Sequence, residues 1–398
     1  MTTLVITEHF APSNGATAQL ITDLVVGLQS LNHNTFVLTS TPQLNRNSEN
    51  NVVRLQQPTK GSTSIFYKAL SGNIFLLKSL IWAVLNRSSY TNILIVSNPP
   101  YSGIIGILLK LALGKPYYFL FQDIFPRSAV LAGILPARGP ILFAANALIR
   151  LICECSHGVI ILSSDMHRRC LRDFGTNYVS TIIPNWSIPK PVPLTSSHQR
   201  RETPPNRTYI RLQYSGNHGR LHDILTILEA ARLLTDQPIL FEFIGGGPKY
   251  HYVDYYTDCF KLPNVVRKPY QDRGSLEAVF SSCDASFVSL MPGAEDTVAP
   301  SKLYGILASS KPVILLSSLT SDLAQLVLSS NSGYVVEPGD VTGRVKLLKT
   351  FLDCQNDLFI KSQAAHKLYM SSFQKEYSII QYHTLLSHHK SPKSPYTS

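Results

Sequence analysis

A lysine in the first turn of a helix sits badly with the helix dipole. In Glu295-Asp-Thr-Val-Ala-Pro-Ser-Lys-Leu303, Pro300 and Ser301 are helix-start residues, which puts Lys302 and Leu303 in that turn. An anion beside the amine resolves the conflict; the alternative is a side chain that points into solvent. About eighty residues earlier, Tyr214-Ser-Gly-Asn-His-Gly219 closes an apolar run. Gly216 and Gly219 allow backbone N–H groups, including that of Asn217, to approach a phosphate; they equally allow a plain turn. Phe243-Ile-Gly-Gly-Gly-Pro248 follows the next apolar run. Gly245 and Gly246 can lie flat beside a planar group such as a nucleobase, or make a sharp turn with Pro248 in the first helical turn. Two phosphate-directed helix starts in one half of the chain suggest a diphosphate across strand ends, and so a nucleotide-linked substrate.

Asp123 follows the run Tyr117–Phe121. There it could accept a hydrogen bond from a sugar hydroxyl, hold a catalytic proton, or cap the next helix. Gly15, in His9-Phe-Ala-Pro-Ser-Asn-Gly15, and the segment Asn98-Pro-Pro-Tyr101 follow strands in the same way, and turn formation explains them about as well. The sequence has no Asp-x-Asp motif, Walker loop, nucleophile elbow or His/Cys ligand cluster. Neither a metal nor a cofactor is expected, so diphosphate charge falls to N–H groups, helix dipoles and Lys/Arg.

The elements that must hold these residues alternate along the chain. Short β-branched runs at 4–7, 35–39, 93–97, 117–121, 159–162 and 181–183 interleave with helical stretches at 16–31, 64–86, 101–113, 140–156 and 164–174. After a Pro/Ser/Arg-rich linker at 187–207, strands at 209–215, 239–244, 264–267, 285–289, 312–316 and 333–336 alternate with helices at 221–234, 249–260, 273–282, 301–309, 320–329 and 340–353. The pattern predicts an α/β protein of two doubly wound, Rossmann-like domains, residues 1–190 and 205–355, facing a central cleft. Residues 356–389 are helical in pattern and in that layout can pack back on the first domain; 390–398 read as a disordered tail.

The 398 residues carry a net charge of +11, unevenly spread. Residues 1–190 hold 15 Lys/Arg against 7 Asp/Glu, and the remainder 21 against 18. A basic first half suits an anionic lipid or pyrophosphate-bearing partner, or serves solubility alone. Nucleic acid is disfavoured, because no basic helix, zinc finger or RNP-like motif accompanies the charge. The six cysteines form no C-x-x-C pair and read as reduced, buried thiols of a cytosolic protein. The long apolar stretch 65–86 is interrupted by Lys68 and Lys78, and 88–109 by Asn98-Pro-Pro100, so no transmembrane span is expected. Peripheral membrane contact stays open.

Taken in order, Gln122-Asp-Ile-Phe-Pro126, Ile183-Pro-Asn-Trp186, Tyr214–Gly219, Phe243–Gly247, Cys283-Asp-Ala285, Pro300-Ser-Lys-Leu303 with Lys311-Pro-Val313, and Gly333-Tyr-Val-Val-Glu-Pro338 resemble the retaining glycosyltransferases of family 4. The similarity is greatest to the subgroup that builds colanic acid and related exopolysaccharides. It runs over nearly the whole chain and implies the GT-B fold. It also implies a UDP- or GDP-sugar donor bound by the C-terminal domain, and metal-independent transfer to a glycan or polyprenyl-pyrophosphate-linked acceptor at the inner face of the cytoplasmic membrane. By the same resemblance, Gly216 and Asn217 would lie at the diphosphate, Lys302 at its distal phosphates, Gly245 and Gly246 at the nucleoside, Asp123 near the reacting sugar, and Gly15 at the donor–acceptor junction. The family's Glu-x7-Glu pair corresponds here to Thr297 and Gly305, with Glu295 or Asp296 as substitutes for the first acid. The family's basic residues after the phosphate loop correspond to Asn217 and His222, with Arg220 as a stand-in. Two other readings follow from these departures: a nucleotide-sugar epimerase of the same fold, and a sugar-nucleotide-binding subunit of a polysaccharide assembly complex.

Overall fold

The computed structural model describes residues 1–42, 51–55, 65–192 and 209–387. The chain divides into two compact units: Met1–Asn185 with Asp296–Ala299 and Lys375–Ser398, and Trp186–Glu295 with Pro300–Gln374. The tail expected at 390–398, and the expected linker from residue 193 onwards, lie outside the described residues.

The first unit contains β1 (Thr2–Ile6), α1 (Ala16–Ser30), β2 (Asn34–Thr39), β3 (Val52–Arg54), α2 (Ile65–Leu85), β4 (Asn92–Val96), α3 (Gly103–Leu113), β5 (Tyr117–Leu120), α4 (Arg127–Leu131), α5 (Pro140–Cys155), β6 (Gly158–Ile161), α6 (Ser164–Phe174) and β7 (Ser180–Ile182). Its seven strands run parallel in the order β3-β2-β1-β4-β5-β6-β7. The order reverses between β1 and β4, which opens a crevice beyond their carboxyl ends. Both strands end in apolar runs, Leu4–Ile6 and Ile93–Val96, because helices cover both faces of the sheet.

The second unit contains β8 (Ile210–Asn217), α7 (Leu225–Leu233), β9 (Ile239–Gly246), α8 (Tyr250–Cys259), β10 (Val265–Lys268), α9 (Leu276–Ser281), β11 (Ala285–Ser289), α10 (Lys302–Ala308), β12 (Val313–Leu316), α11 (Asp322–Ser329), β13 (Gly333–Val336), α12 (Val341–Asp353) and α13 (Gln355–Ser372). Six parallel strands run β10-β9-β8-β11-β12-β13, with the reversal between β8 and β11. Leu212, Tyr214, Phe241, Phe243 and Phe287 fill a core on one face, and Val288, Val313 and Leu315 with Leu303 and Leu307 fill another. Each such side chain contributes about 1.5–3 kcal/mol by leaving water.

The last helix, α14 (Lys375–Ser387), belongs to the first unit. It packs on α1, where a side chain at Gly27 would lie 2.2 Å from Ile379. A buried polar chain fastens its end. His33 Nε2 donates to Thr3 Oγ1 (2.7 Å), that hydroxyl donates to Asn92 Oδ1 (2.6 Å), and Asn92 Nδ2 donates to the Leu386 carbonyl (2.7 Å). The two doubly wound sheets are as the sequence predicts; of the segment 356–389, α14 belongs to the first unit, while α13 stays with the second.

Several details differ. The helix expected from residue 221 begins at Leu225, because Asp223 Oδ1 accepts the Thr226 N–H (3.1 Å) and starts the helix there. Strand β3 and helix α4 are too short to leave a periodic signal. The six cysteines are free thiols, but only Cys153, Cys170 and Cys283 are buried; Cys155 is half-buried, and Cys259 and Cys354 are exposed.

Candidate functional site

In the second unit, β8 runs on through Gly216 and Asn217, alongside Gly245 and Gly246 of β9. The glycines are required by geometry. Gly216 has φ +106° and Gly245 φ +120°, and a Cβ on Gly245 would lie 2.2 Å from the Gly216 carbonyl oxygen. A Cβ on Gly216 would meet nothing within 4 Å, so its backbone faces open space.

Lys302, the first residue of α10, reaches back to this edge. Its Nζ lies 3.6 Å from the centre of the Tyr214 ring and 3.5 Å from the Asn217 carbonyl oxygen. Among the described residues no carboxylate pairs with it, and burial lowers its amine well below the ordinary lysine value. A second cation, Lys249, donates to the His222 carbonyl (2.6 Å) and touches Met291 Sδ (3.0 Å). Burial lowers this amine too, with Asp223 acting in the opposite sense.

Two histidines brace the loop and stay neutral. His218 is fully buried, and its Nδ1 donates to the carbonyls of Gly216 (3.1 Å) and Gly246 (3.3 Å), tying the two strand ends together. Burial first, and Lys302 second, hold it down at about 4. His222 Nδ1 accepts from the Tyr214 hydroxyl (2.7 Å) and from the Gly219 N–H (3.1 Å), so that nitrogen is unprotonated. Burial and Lys302 likewise lower His222. The positive charge at this edge is therefore carried by the two lysines and the exposed Arg220.

This edge brings together Gly216, Asn217, Gly219, Gly245, Gly246 and Lys302. Pro300 and Ser301 lead into Lys302, and Ser301 caps α10 without a side-chain hydrogen bond. Leu303 is buried, so only its backbone can face a ligand. Glu295 accepts the Ser318 N–H at 3.0 Å, which gives it a loop-holding contact. Tyr214, His218, Lys249 and Tyr270 are not singled out by sequence, and His222 enters there only as the counterpart of a family basic residue. Tyr270 donates from its hydroxyl to the Gly246 carbonyl (3.0 Å), and its ring lies 3.2 Å from where a Cβ on Gly245 or Gly246 would stand. The glycine spacing marks the loops; nothing in the sequence tells which way an aromatic or imidazole two residues along will turn.

Gly305 is buried, and a Cβ there would make ordinary contacts with Phe280 (3.4 Å) and Pro189 (3.6 Å), so an acid at this position would enter apolar surroundings. Thr297 is fully buried, and its Oγ1 donates to Asp296 Oδ1 (2.9 Å). Asp296 also takes an ion pair from Arg169 (3.4 Å), within the first unit.

At the strand ends of the first unit, Asp123 forms an antiparallel bridge with Val298, and Ile124 N–H donates to the Thr297 carbonyl (2.8 Å). The Asp123 side chain keeps solvent access, while the protein around it raises the carboxyl to about 6. Glu8 is raised as well, by burial, against the lowering effect of His9. Gly15 has an ordinary φ of −64°, and only Ser13 Oγ lies near a would-be Cβ, at 3.7 Å. The protein itself thus does not require glycine at 15. Beside it, His9, Pro12, Ser13, Ser40, Thr41 and Pro42 line an open pocket of about 420 Å³.

Comparison with known proteins agrees with the resemblance read from the sequence. No protein-family model matches the chain. The chain is 26% identical over 262 residues to the "Probable glycosyltransferase WbjE" of Pseudomonas aeruginosa, covering 63% of each chain. It is 32% identical over 113 residues to WcaI of Escherichia coli (strain K12), which bears the name of a colanic acid biosynthesis glycosyl transferase, covering 28% of each. The chain therefore matches less than two thirds of the length of these curated relatives. Among solved structures it is similar to a sucrose-phosphate synthase of Thermosynechococcus elongatus (TM-score 0.77, 15% identity, 97% of this chain and 98% of that one). It is also similar to Anabaena HepE in complex with UDP-glucose (0.71, 13%, 97% and 99%) and to the lipopolysaccharide glycosyltransferase WaaG (0.69, 12%, 97% and 99%). At these identities the structures show the fold, and the fold is GT-B.

Proposed function

We propose that this chain is a glycosyltransferase of cell-surface polysaccharide synthesis that takes a sugar from a UDP- or GDP-sugar with retention at the anomeric carbon. One observation carries the reading most: an amine at the end of a parallel sheet, seated on an aromatic ring with no carboxylate partner among the described residues, beside glycine backbone that faces open space. That combination suits a diphosphate. Its oxygens would take the charge of Lys302 beside the open backbone at Gly216 and the exposed Asn217, with Lys249 and Arg220 nearby in the same loops. Gly245, Gly246 and Tyr270 would take the nucleoside. The names of WbjE and WcaI support transfer chemistry, and the UDP-glucose bound to HepE supports this class of donor.

In the reaction, the bond between the anomeric carbon and the diphosphate breaks and a bond to the acceptor oxygen forms. The acceptor proton leaves with the nucleoside diphosphate. Negative charge grows on the departing phosphate, and Lys302 stabilises it without a metal. Asp123 would hold the reacting sugar by a hydrogen bond. The acceptor, a glycan or a polyprenyl-pyrophosphate-linked sugar, would use the strand ends of the first unit, where Glu8, His9, Gly15 and the open pocket lie. Such an acceptor places the protein at the cytoplasmic face of a membrane.

The test is turnover of radiolabelled UDP- and GDP-sugars with membrane extracts as acceptor, with and without EDTA. Product formed equally in both conditions supports the reading. Sugar epimerisation without acceptor, or nucleotide binding with no transfer, would replace it by one of the two alternatives.

A further inference from the structure

We propose that α2, α3 and α5 of the first unit form a docking face for an anionic lipid bilayer. The face needs no donor site, so it stands or falls separately from the reading above. These three helices pack in series, α2 on α3 and α3 on α5. Their outward stripes are apolar. Leu77, Ile81, Val84 and Leu85 follow one another at i, i+4, i+7 and i+8 along α2; Leu108 and Leu111 lie at i and i+3 on α3; Phe143, Ala147 and Leu151 lie at i, i+4 and i+8 on α5. All nine are exposed, with Leu85 at 77%, Leu111 at 79% and Phe143 at 77%. Ile134 and Ile141, before and at the start of α5, are exposed too. Helix α5 buries only Ile149, Ile152 and Cys153 in the unit, which leaves most of its apolar surface facing water. A run of large apolar side chains over adjacent helices exceeds the scattered exposure usual for a soluble surface.

Charge selects the occupant. Between residues 65 and 150 the sequence has eight Lys/Arg and a single acid, Asp123, which sits at the end of β5. The charged residues around the apolar stripe include Lys78, Arg87, Lys110, Arg138 and Arg150, all exposed. Glu154 of α5 is already paired with Arg150 at 2.9 Å. An apolar face rimmed by cations matches the acyl boundary and phosphate headgroups of an anionic leaflet. A second copy of this chain fits worse, because a two-fold contact would set one basic rim against the other. Among the described residues no helix is long and apolar enough to cross a membrane. The face would therefore lie on the bilayer, with Leu85, Leu111 and Phe143 sunk into the headgroup–acyl boundary.

Flotation of the full chain with vesicles, in the absence of nucleotide, tests this. One set is phosphatidylcholine alone, the other phosphatidylcholine and phosphatidylglycerol in equal parts. The wild type is expected to float with the anionic set at low salt. Leu111→Glu with Phe143→Glu should weaken partitioning by about tenfold or more, and Arg87→Glu with Arg138→Glu should weaken it on the anionic set in the same direction as added salt. All four positions are exposed, so unchanged far-UV circular dichroism and unfolding midpoint are expected in both variants. Wild type that stays with the unbound fraction, or partitioning untouched by Leu111→Glu with Phe143→Glu, would overturn the proposal. A wild-type dimer that this double variant dissociates would overturn it in favour of a second copy.

Discussion

The two units present different chemistry at the same place in the same fold. The strand ends of the second unit offer glycine backbone, two lysines and two neutral histidines, one of them fully buried. Those of the first unit offer carboxylates with raised proton affinity, Glu8 and Asp123, beside His9 and an open pocket. On the proposed reading, one edge suits the anion that every nucleotide donor shares. The other carries polar side chains on loops, where a variable hydroxyl-bearing acceptor can be matched. Burial opposes the charge of Lys302, and a bound diphosphate would offset that opposition.

The sharpest way to break this comparison is Lys302→Ala. Turnover is expected to fall by about a hundred- to a thousandfold, in line with removal of a preorganised charge at a leaving group, while thermal stability holds or rises because a half-buried amine with a disfavoured charge is gone. Steady-state kinetics together with calorimetric unfolding separate the two effects. A loss of stability matching the loss of activity would make Lys302 structural.

In the first unit, Asp123→Asn should lower kcat by about a hundredfold and remove an acid limb near 6 from the pH–rate profile. Its effect on stability has the opposite sign. A carboxyl raised in the folded state is penalised when ionised, so the amide should be no less stable at neutral pH. An acid limb that survives in the variant would assign it to another group.

The two glycines sharpen the contrast further. Gly216→Ala forces a side chain onto φ +106° and should cost about 1–2 kcal/mol, read by denaturant unfolding, along with donor affinity. Gly15→Ala has an ordinary φ and open space, so stability should change by less than about 0.5 kcal/mol. Activity lost in Gly15→Ala at unchanged stability would mark a ligand approaching that backbone.

A separate effect, on stability alone, comes from His33. Burial and His383 hold it neutral, down at about 4 against an ordinary 6.5. The folded-state value is the lower one, so the contribution is present above 6.5 and is lost as the pH falls from there towards 4, by up to about 3 kcal/mol. Denaturant titrations across that window should show it, and His33→Gln should flatten the slope.

Much of the fold is legible in the sequence because doubly wound sheets write apolar runs, such as Ile93–Val96, between helical stretches with clear periods. The glycines at 216 and 245 are legible for a related reason, since their backbone conformations exclude most other residues. Lys302 stands out because a cation conflicts with its position. The start of α7 is hidden, because Asp223 rather than the glycine loop begins the helix. The support given by His218, His222 and Tyr214 is hidden too, because it depends on tautomers and on side chains turned inward between two loops distant in sequence. The missing acid at Gly305 is visible as a residue, but its apolar surroundings, Phe280 and Pro189, appear only in three dimensions.

The most direct test of the diphosphate site is calorimetric binding of UDP and GDP to wild type and Lys302→Ala across a pH series. The bound anion favours the charged amine, whose free-state value is depressed. Affinity should therefore be greatest below that value and fall as the pH rises through it, with proton uptake on binding. The expected result is one nucleotide bound by the wild type, weakening with rising pH, and affinity reduced by about a hundredfold with no such pH dependence in Lys302→Ala. Equal affinity and equal pH dependence in the two proteins would contradict it.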